Sequence, residues 1–140
     1  MNDLARLLLE ARRAVAAELG ADLEDRGYPD LRPADAAVFL AIDRRNGSRV
    51  SDLAAGARVS KQGMMAHVDD LEERGYVRRV PDPTDARAKL VRLTARGRRA
   101  GAECRRAVLA LDQRMKRRLG PGYDLLIEAL EEIVSEEAED

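Results

Sequence analysis

The sequence predicts a mainly α fold with a small β-wing, a winged helix-turn-helix set between helical N- and C-terminal segments. Three observations predict it. Two short amphipathic stretches meet at a tight joint near residues 57–60. Two β-prone runs, 76–80 and 89–93, follow around the Pro-containing tip PDPTDARA. Longer helical periodicities occupy both ends. The 140 residues fit one domain, with residues 30–97 as helix-turn-helix and wing and residues 1–20 and 98–140 as helical ends.

Over 3–19, Leu4, Leu8, Ala11, Val15 and Leu19 recur at helical spacing, and Gly20 is a suitable stop. Residues 21–31 read as a polar connection containing Gly27 and Pro29. Pro33 suits a first helical turn, and Ala34, Ala37, Val38, Ala41 and Ile42 give that helix a buried face. RRNGS at 44–48 is a turn, and Val50 suits a strand of one or two residues. Ser51 suits the cap of a short helix, 52–57, with Leu53 pointing inward. Ser60 caps the next helix, which runs through Arg74 and ends at Gly75, with Val59, Met64, Val68 and Leu71 as core positions. Pro81 and Pro83 exclude helix and favour an exposed ribbon tip. Thr94 caps a long helix, 95–119, which Gly120-Pro121-Gly122 breaks. A final amphipathic helix carries Leu125, Leu126, Ala129, Leu130, Ile133 and Val134, and the EEAED end is expected to fray.

Composition narrows the function class. Aromatic residues are 3%, too few for the base-stacking platforms of RNA modules. No apolar run approaches the ~20 residues that cross a bilayer, and the N-terminus lacks a basic-then-apolar signal pattern. A cytoplasmic protein without membrane contact is expected. One His and one Cys, 37 positions apart, make neither a catalytic triad nor a zinc site. No Gly-rich phosphate loop is present. An enzyme is therefore not expected, nor a cofactor or metal.

The net charge of −1 conceals a strong asymmetry: residues 43–99 carry +6 and residues 122–140 carry −8. Phosphate binding requires a basic region, and here it coincides with the helix-turn-helix and ribbon. A short helix that can enter a major groove, followed by an Arg-bearing ribbon, points to double-stranded DNA. The bland alternative is a chain simply rich in Arg.

The candidate DNA contacts follow from position. Ser60 caps its helix and has a hydroxyl for phosphate. Lys61 and Gln62 lie in the first turn, where Gln can pair with adenine and Lys with guanine or phosphate. Met65 and Ala66 lie outward and can touch a thymine methyl. Arg87, at the ribbon tip, suits a minor groove. Arg78, Arg79, Lys89 and Arg92 alternate along the strands, either tracking phosphates or only keeping the ribbon soluble. Asp69, Asp70, Glu72 and Glu73 repel phosphate, so they must face away or pair with Arg. His67 reads as a satisfied, partly buried side chain or a pH-sensitive group.

These residues resemble the MarR family of bacterial transcription regulators. The matching stretches are VSKQGMMAHVDDLEERGYVRR at 59–79 and DPTDARAKLVRLTARG at 82–97. Within them lie Leu71, Glu72, Gly75, Tyr76 and Val77, then Asp85 and Arg87, then Leu93, Thr94 and Gly97. His67 departs from the pattern, where an apolar residue is usual. The resemblance implies an obligate homodimer joined through N- and C-terminal dimerisation helices. It also implies a pseudo-palindromic operator, transcription regulation, most often as a repressor, and frequent control by a small-molecule effector. It further implies that Asp85 holds Arg87 by a bidentate ion pair. Oxidant-sensing thiols in such proteins lie in the N-terminal helix, whereas residues 1–103 contain no Cys, so Cys104 reads as a packed thiol. Effectors in the family bind between the dimer helices and the reader, which makes Arg12, Tyr28 and Phe39 candidate lining residues. Two alternatives stay open: a winged-helix regulator resembling the PadR group, and a winged-helix interaction module that does not bind DNA.

Overall fold

The computed structural model describes residues 3–136. Its elements are α1 Leu4–Asp25, α2 Pro33–Ala41, α3 Val50–Ala57, α4 Lys61–Glu73, β1 Val77–Asp82, β2 Asp85–Leu93, α5 Ala95–Leu119 and α6 Gly122–Glu136. They divide into two compact units, Met1–Ala107 and Val108–Asp140, with α5 contributing to both. Of the EEAED end at 136–140, where fraying was expected, Glu136 closes α6 and residues 137–140 lie outside the described residues.

In the first unit, α1 passes through Gly20 and stops only at Asp25. A helical glycine costs about 1 kcal/mol, and burial of Leu19 and Leu23 along one stripe outweighs that. The true stop is Gly27, at φ +95°. There the Tyr28 amide reaches back to the Leu23 carbonyl at 2.9 Å and the Gly27 amide to Glu24 at 2.9 Å, closing a Schellman motif. Pro33 opens α2 as expected, but the buried face is Asp35, Ala36, Val38 and Phe39, followed by Ile42. Ala34, Ala37 and Ala41 are exposed. Alanine fits either side of a helix, so an Ala-rich segment leaves its phase to the larger side chains.

Helix α3 begins at Val50 with Arg49 at its N-cap, so Ser51 lies inside the helix and is not its cap. The short bridge predicted at Val50 is formed instead by Ser48 and Val91. Leu53 points inward, as expected. In α4 the Ser60 hydroxyl accepts the Gly63 amide at 2.9 Å, and Gly75, at φ +82°, ends the helix. Met64, Val68 and Leu71 are buried, whereas Val59 is 49% exposed because it precedes the cap and lies outside the helical repeat.

The strands pair antiparallel from Val77↔Leu93 to Asp82↔Asp85, so the ribbon is longer than the sequence suggested. Pro81 is accommodated within β1 because only one side of the strand is paired. At the tip, Asp82 Oδ1 accepts both the Thr84 amide, at 2.8 Å, and the Thr84 hydroxyl, at 2.7 Å, fixing a turn over Pro83 and Thr84. Helix α5 starts on Thr94, whose hydroxyl accepts the Gly97 amide at 3.0 Å. Gly97 lies so close to the α4–β1 joint that a Cβ there would stand 1.9 Å from the Tyr76 carbonyl oxygen. Tyr76 is fully buried, edge-on to Phe39 with centroids 5.5 Å apart, and its hydroxyl donates to Asp30 at 2.7 Å.

In the second unit, Gly120 at φ +53° turns the chain into α6. The Tyr123 hydroxyl donates to the Asp112 carboxylate, and Lys116 lies 5.3 Å from the Tyr123 ring centre. Leu125, Leu126, Ile133 and Val134 stand exposed on α6. Among the described residues no helix is long and apolar enough to cross a membrane.

Candidate nucleic-acid interface

Burial divides α4 lengthwise. Met64, Val68 and Leu71 anchor one side, while Lys61, Gln62, Gly63, Met65, Ala66 and Asp69 face solvent. The first two turns are thus open, as a reading helix requires. The Ser60 hydroxyl accepts the Gly63 amide as the helix cap and keeps its own proton to donate.

Beside this face runs a groove of about 350 Å³, lined by Arg49, Val50, Ser51, Lys61, Met65, Arg79, Arg87, Ala88 and Lys89. Its lining holds five basic side chains and no carboxylate. Arg49 and Arg79 are engaged in ion pairs. Lys61, Arg87 and Lys89 form none among the described residues. Four of the residues singled out from sequence, Lys61, Met65, Arg87 and Lys89, therefore converge on one positive trough. Gln62 shares the exposed face of α4. Ala66 lies instead beside a separate shallow depression with Arg32, Ala34, His67 and Asp70.

Asp85 does not hold the Arg87 guanidinium. Its Oδ1 accepts the Arg87 backbone amide at 3.0 Å, and its Oδ2 lies 3.8 Å from Arg49. Near a tight turn, a carboxylate bonds readily to the amide two residues on, and that local bond replaces the bidentate pair expected from resemblance. Asp85 orders the start of β2 rather than the Arg87 side chain.

Three of the four acidic side chains in the later half of α4, Asp69, Asp70 and Glu72, are paired with arginine. Arg79 bonds Asp69 at 2.7 Å and Glu72 at 3.1 Å, and Arg74 bonds Asp70 at 2.7 Å. Arg79 is thereby engaged within the fold, and the Arg92 guanidinium donates to the Arg45 carbonyl at 2.7 Å.

Behind the reading helix lies a buried carboxylate that the sequence did not disclose. Asp35 is wholly buried and accepts the Arg32 amide at 2.9 Å, Arg74 at 3.0 Å and His67 Nε2 at 2.7 Å. Burial pushes its carboxyl upward, but the bonds from Arg74, the Arg32 amide and His67 prevail and hold it below the ordinary value. His67 is thus a satisfied, partly buried side chain that ties α4 to α2. Cys104 is buried, and burial pushes its thiol up to about 11, so it is a packed thiol with little thiolate. Phe39 is sealed in the core at 1% exposure, which removes it from the candidate effector-lining residues. The ion pair of Arg49 with Asp82, at 2.8 Å, is equally hidden in the sequence. Nothing local in the sequence relates positions 33 residues apart.

Known proteins resemble this chain in sequence and in fold. Residues 30–88 match the model of the MarR family. The exopolysaccharide II synthesis transcriptional activator ExpG of Rhizobium meliloti (strain 1021) is 30% identical over 105 residues, covering 75% of this chain and 54% of that protein. The transcriptional activatory protein BadR of Rhodopseudomonas palustris is 42% identical over 65 residues, covering 44% of this chain and 37% of that protein. The chain thus spans about half, or less, of the length of these curated relatives. Among solved structures, the repressor CouR bound to a 23-mer DNA duplex superposes with a TM-score of 0.81 at 26% identity, covering 94% of this chain and 92% of that one. CouR from Rhodococcus jostii RHA1 bound to p-coumaroyl-CoA gives 0.76 at 26% identity, covering 95% and 90%. The two curated relatives are named as transcriptional activators and CouR as a transcriptional repressor, and CouR shares this chain's fold.

Proposed function

Because residues 30–88 are a MarR-family winged helix-turn-helix, we propose that the chain is a homodimeric, sequence-specific DNA-binding transcription regulator. The observation that carries this is the trough beside α4, where, among the described residues, Lys61, Arg87 and Lys89 stand without ion pairs in a lining that holds no carboxylate. Lys61, Gln62, Met65 and Ala66 read base edges in the major groove, with Ser60 at the helix start. Arg87 enters the neighbouring minor groove, and Lys89 tracks phosphate. Asp85 shapes the strand that carries Arg87.

Two copies present two reading helices about one DNA turn apart, matching a pseudo-palindromic operator. Residues 1–20 and 98–140 supply the dimer contacts, and residues 30–97 the reader. Supporting this, Leu4, Leu7 and Leu9 on α1 and Leu125, Leu126, Ile133 and Val134 on α6 are all at least 43% exposed in one chain. A small-molecule effector acts by favouring one separation of the two readers, for which a differential affinity of a few kcal/mol suffices. CouR, with its bound p-coumaroyl-CoA, supports that reading. A bound dimer overlapping a promoter represses. Two of the relatives are named activators, so operator placement sets the sign.

Selection of bound duplexes from a random pool tests the proposal. A symmetric consensus is expected, with affinity falling steeply as salt rises. Arg87→Ala should weaken binding roughly tenfold and reduce the salt slope by about 2, one for each half-site. Recovery of no duplex would leave a winged-helix interaction module as the better reading.

A further inference from the structure

Building on the DNA-reading proposal, we propose that Arg49 and Asp82 form a clamp that sets the pose of the wing, which makes Arg49 a positioning residue for Arg87. Arg49 stands at the N-cap of α3 and donates through Nε and Nη2 to Asp82 Oδ2, at 2.9 and 2.8 Å. The Asp82 side chain is only 5% exposed. Its other oxygen is filled by the Thr84 amide and hydroxyl. One carboxylate therefore has two duties: Oδ1 shapes the turn and Oδ2 fastens that turn to the helix-turn-helix.

Other ties fall short of the tip. The Ser48–Val91 bridge holds the base of the ribbon, and Arg79 holds its middle to Asp69 and Glu72. The Arg49 pair reaches the turn itself, and Arg87 follows that turn by a few residues on β2. Any swing of the tip carries Arg87 with it. Arg49 lines the same trough as Arg87, so direct phosphate contact is the competing role. The two roles differ in sign at Asp82. If only charge counted, removing an acid near the duplex would tighten binding. Under the clamp, the same change loosens the wing and weakens binding.

Asp82→Asn isolates the effect, since it keeps an oxygen for the Thr84 turn and sets an amide NH2 against the guanidinium. Arg49→Gln breaks the pair from the other side. With the full chain and its selected duplex, fluorescence anisotropy should show each variant binding about fivefold more weakly, and neither should weaken Arg87→Ala further. Hydrogen exchange of the 84–88 amides, measured without DNA, should accelerate in both variants, with melting temperature as the check on folding. If Arg49→Gln does not fold, Asp82→Asn alone carries the test. Equal or tighter binding by Asp82→Asn, or further weakening of Arg87→Ala by Arg49→Gln, overturns the clamp. A wild-type chain that selects no duplex strikes the DNA reading alone. In that case accelerated exchange still supports the clamp, and unchanged exchange overturns it.

Discussion

Asp35 is the residue on which the reader's scaffold turns. It lies in the first turn of α2 with no exposure, yet it is ionised because Arg74, His67 and a backbone amide surround it. Its carboxyl is held below the ordinary value of about 3.9, so its pairing stabilises the fold above that pH. The contribution is lost as pH falls through the lower folded value. Asp35→Asn leaves Arg74 with Asp70 but strips its buried partner. Urea denaturation at pH 7 should show a loss of about 3 kcal/mol, shrinking as the pH is taken below about 4. A gap that stays constant with pH would mean the cost is one of packing. Ser60 and Gly75 were legible as cap and stop because each acts on its own helix. Asp35 was not, because its partners lie 32 and 39 positions away.

At the scale of elements, contacts between segments decide lengths and phases that periodicity leaves open. The sequence ends the first helix at Gly20, and the packed Leu23 carries it on to Asp25. Helix α5 shows the converse, since its two buried glycines have opposite roles. Glycine to alanine in a helix ordinarily favours folding by about 1 kcal/mol. At Gly101 the nearest atoms are 3.6–3.9 Å away, so Gly101→Ala should be neutral or stabilising. At Gly97 the new methyl would meet backbone oxygen at 1.9 Å, and Gly97→Ala should destabilise by about 1–3 kcal/mol. Thermal melts of the two variants should move in opposite directions or, at the least, only the Gly97 variant should fall. Equal melting would mean that α5 is free to slide away from the α4–β1 joint.

For the whole molecule, the exposed leucines of α1 and α6 are hard to reconcile with a lone chain in water. Burying one such side chain stabilises by about 1.5–3 kcal/mol, and several lie open on each helix. Sedimentation should give twice the 15.5 kDa chain mass. Leu125→Glu with Val134→Glu, both exposed in the single chain, should shift the mass toward one chain. It should also weaken binding to a two-half-site duplex far more than to a single half-site. A wild-type protein sedimenting as a monomer would remove the dimer from the proposal and leave each reader acting alone.

The order of helices, the ribbon and its resemblance to the MarR family were all readable from the chain. So was the exposure of Lys61, Gln62, Met65 and Ala66 on α4 and of Arg87 on the ribbon. Each rests on local rules: helical spacing, a capping hydroxyl, a glycine stop, a proline-bearing tip. Only the folded structure revealed which charges are already spent. It committed Arg79 to Asp69 and Glu72, turned Asp85 toward a backbone amide, and joined Arg49 to Asp82. The reason is physical. Ion pairs form between side chains brought within a few ångströms by packing, and in a chain that is 36% charged many pairings are possible along the sequence. The fold selects the few that geometry allows.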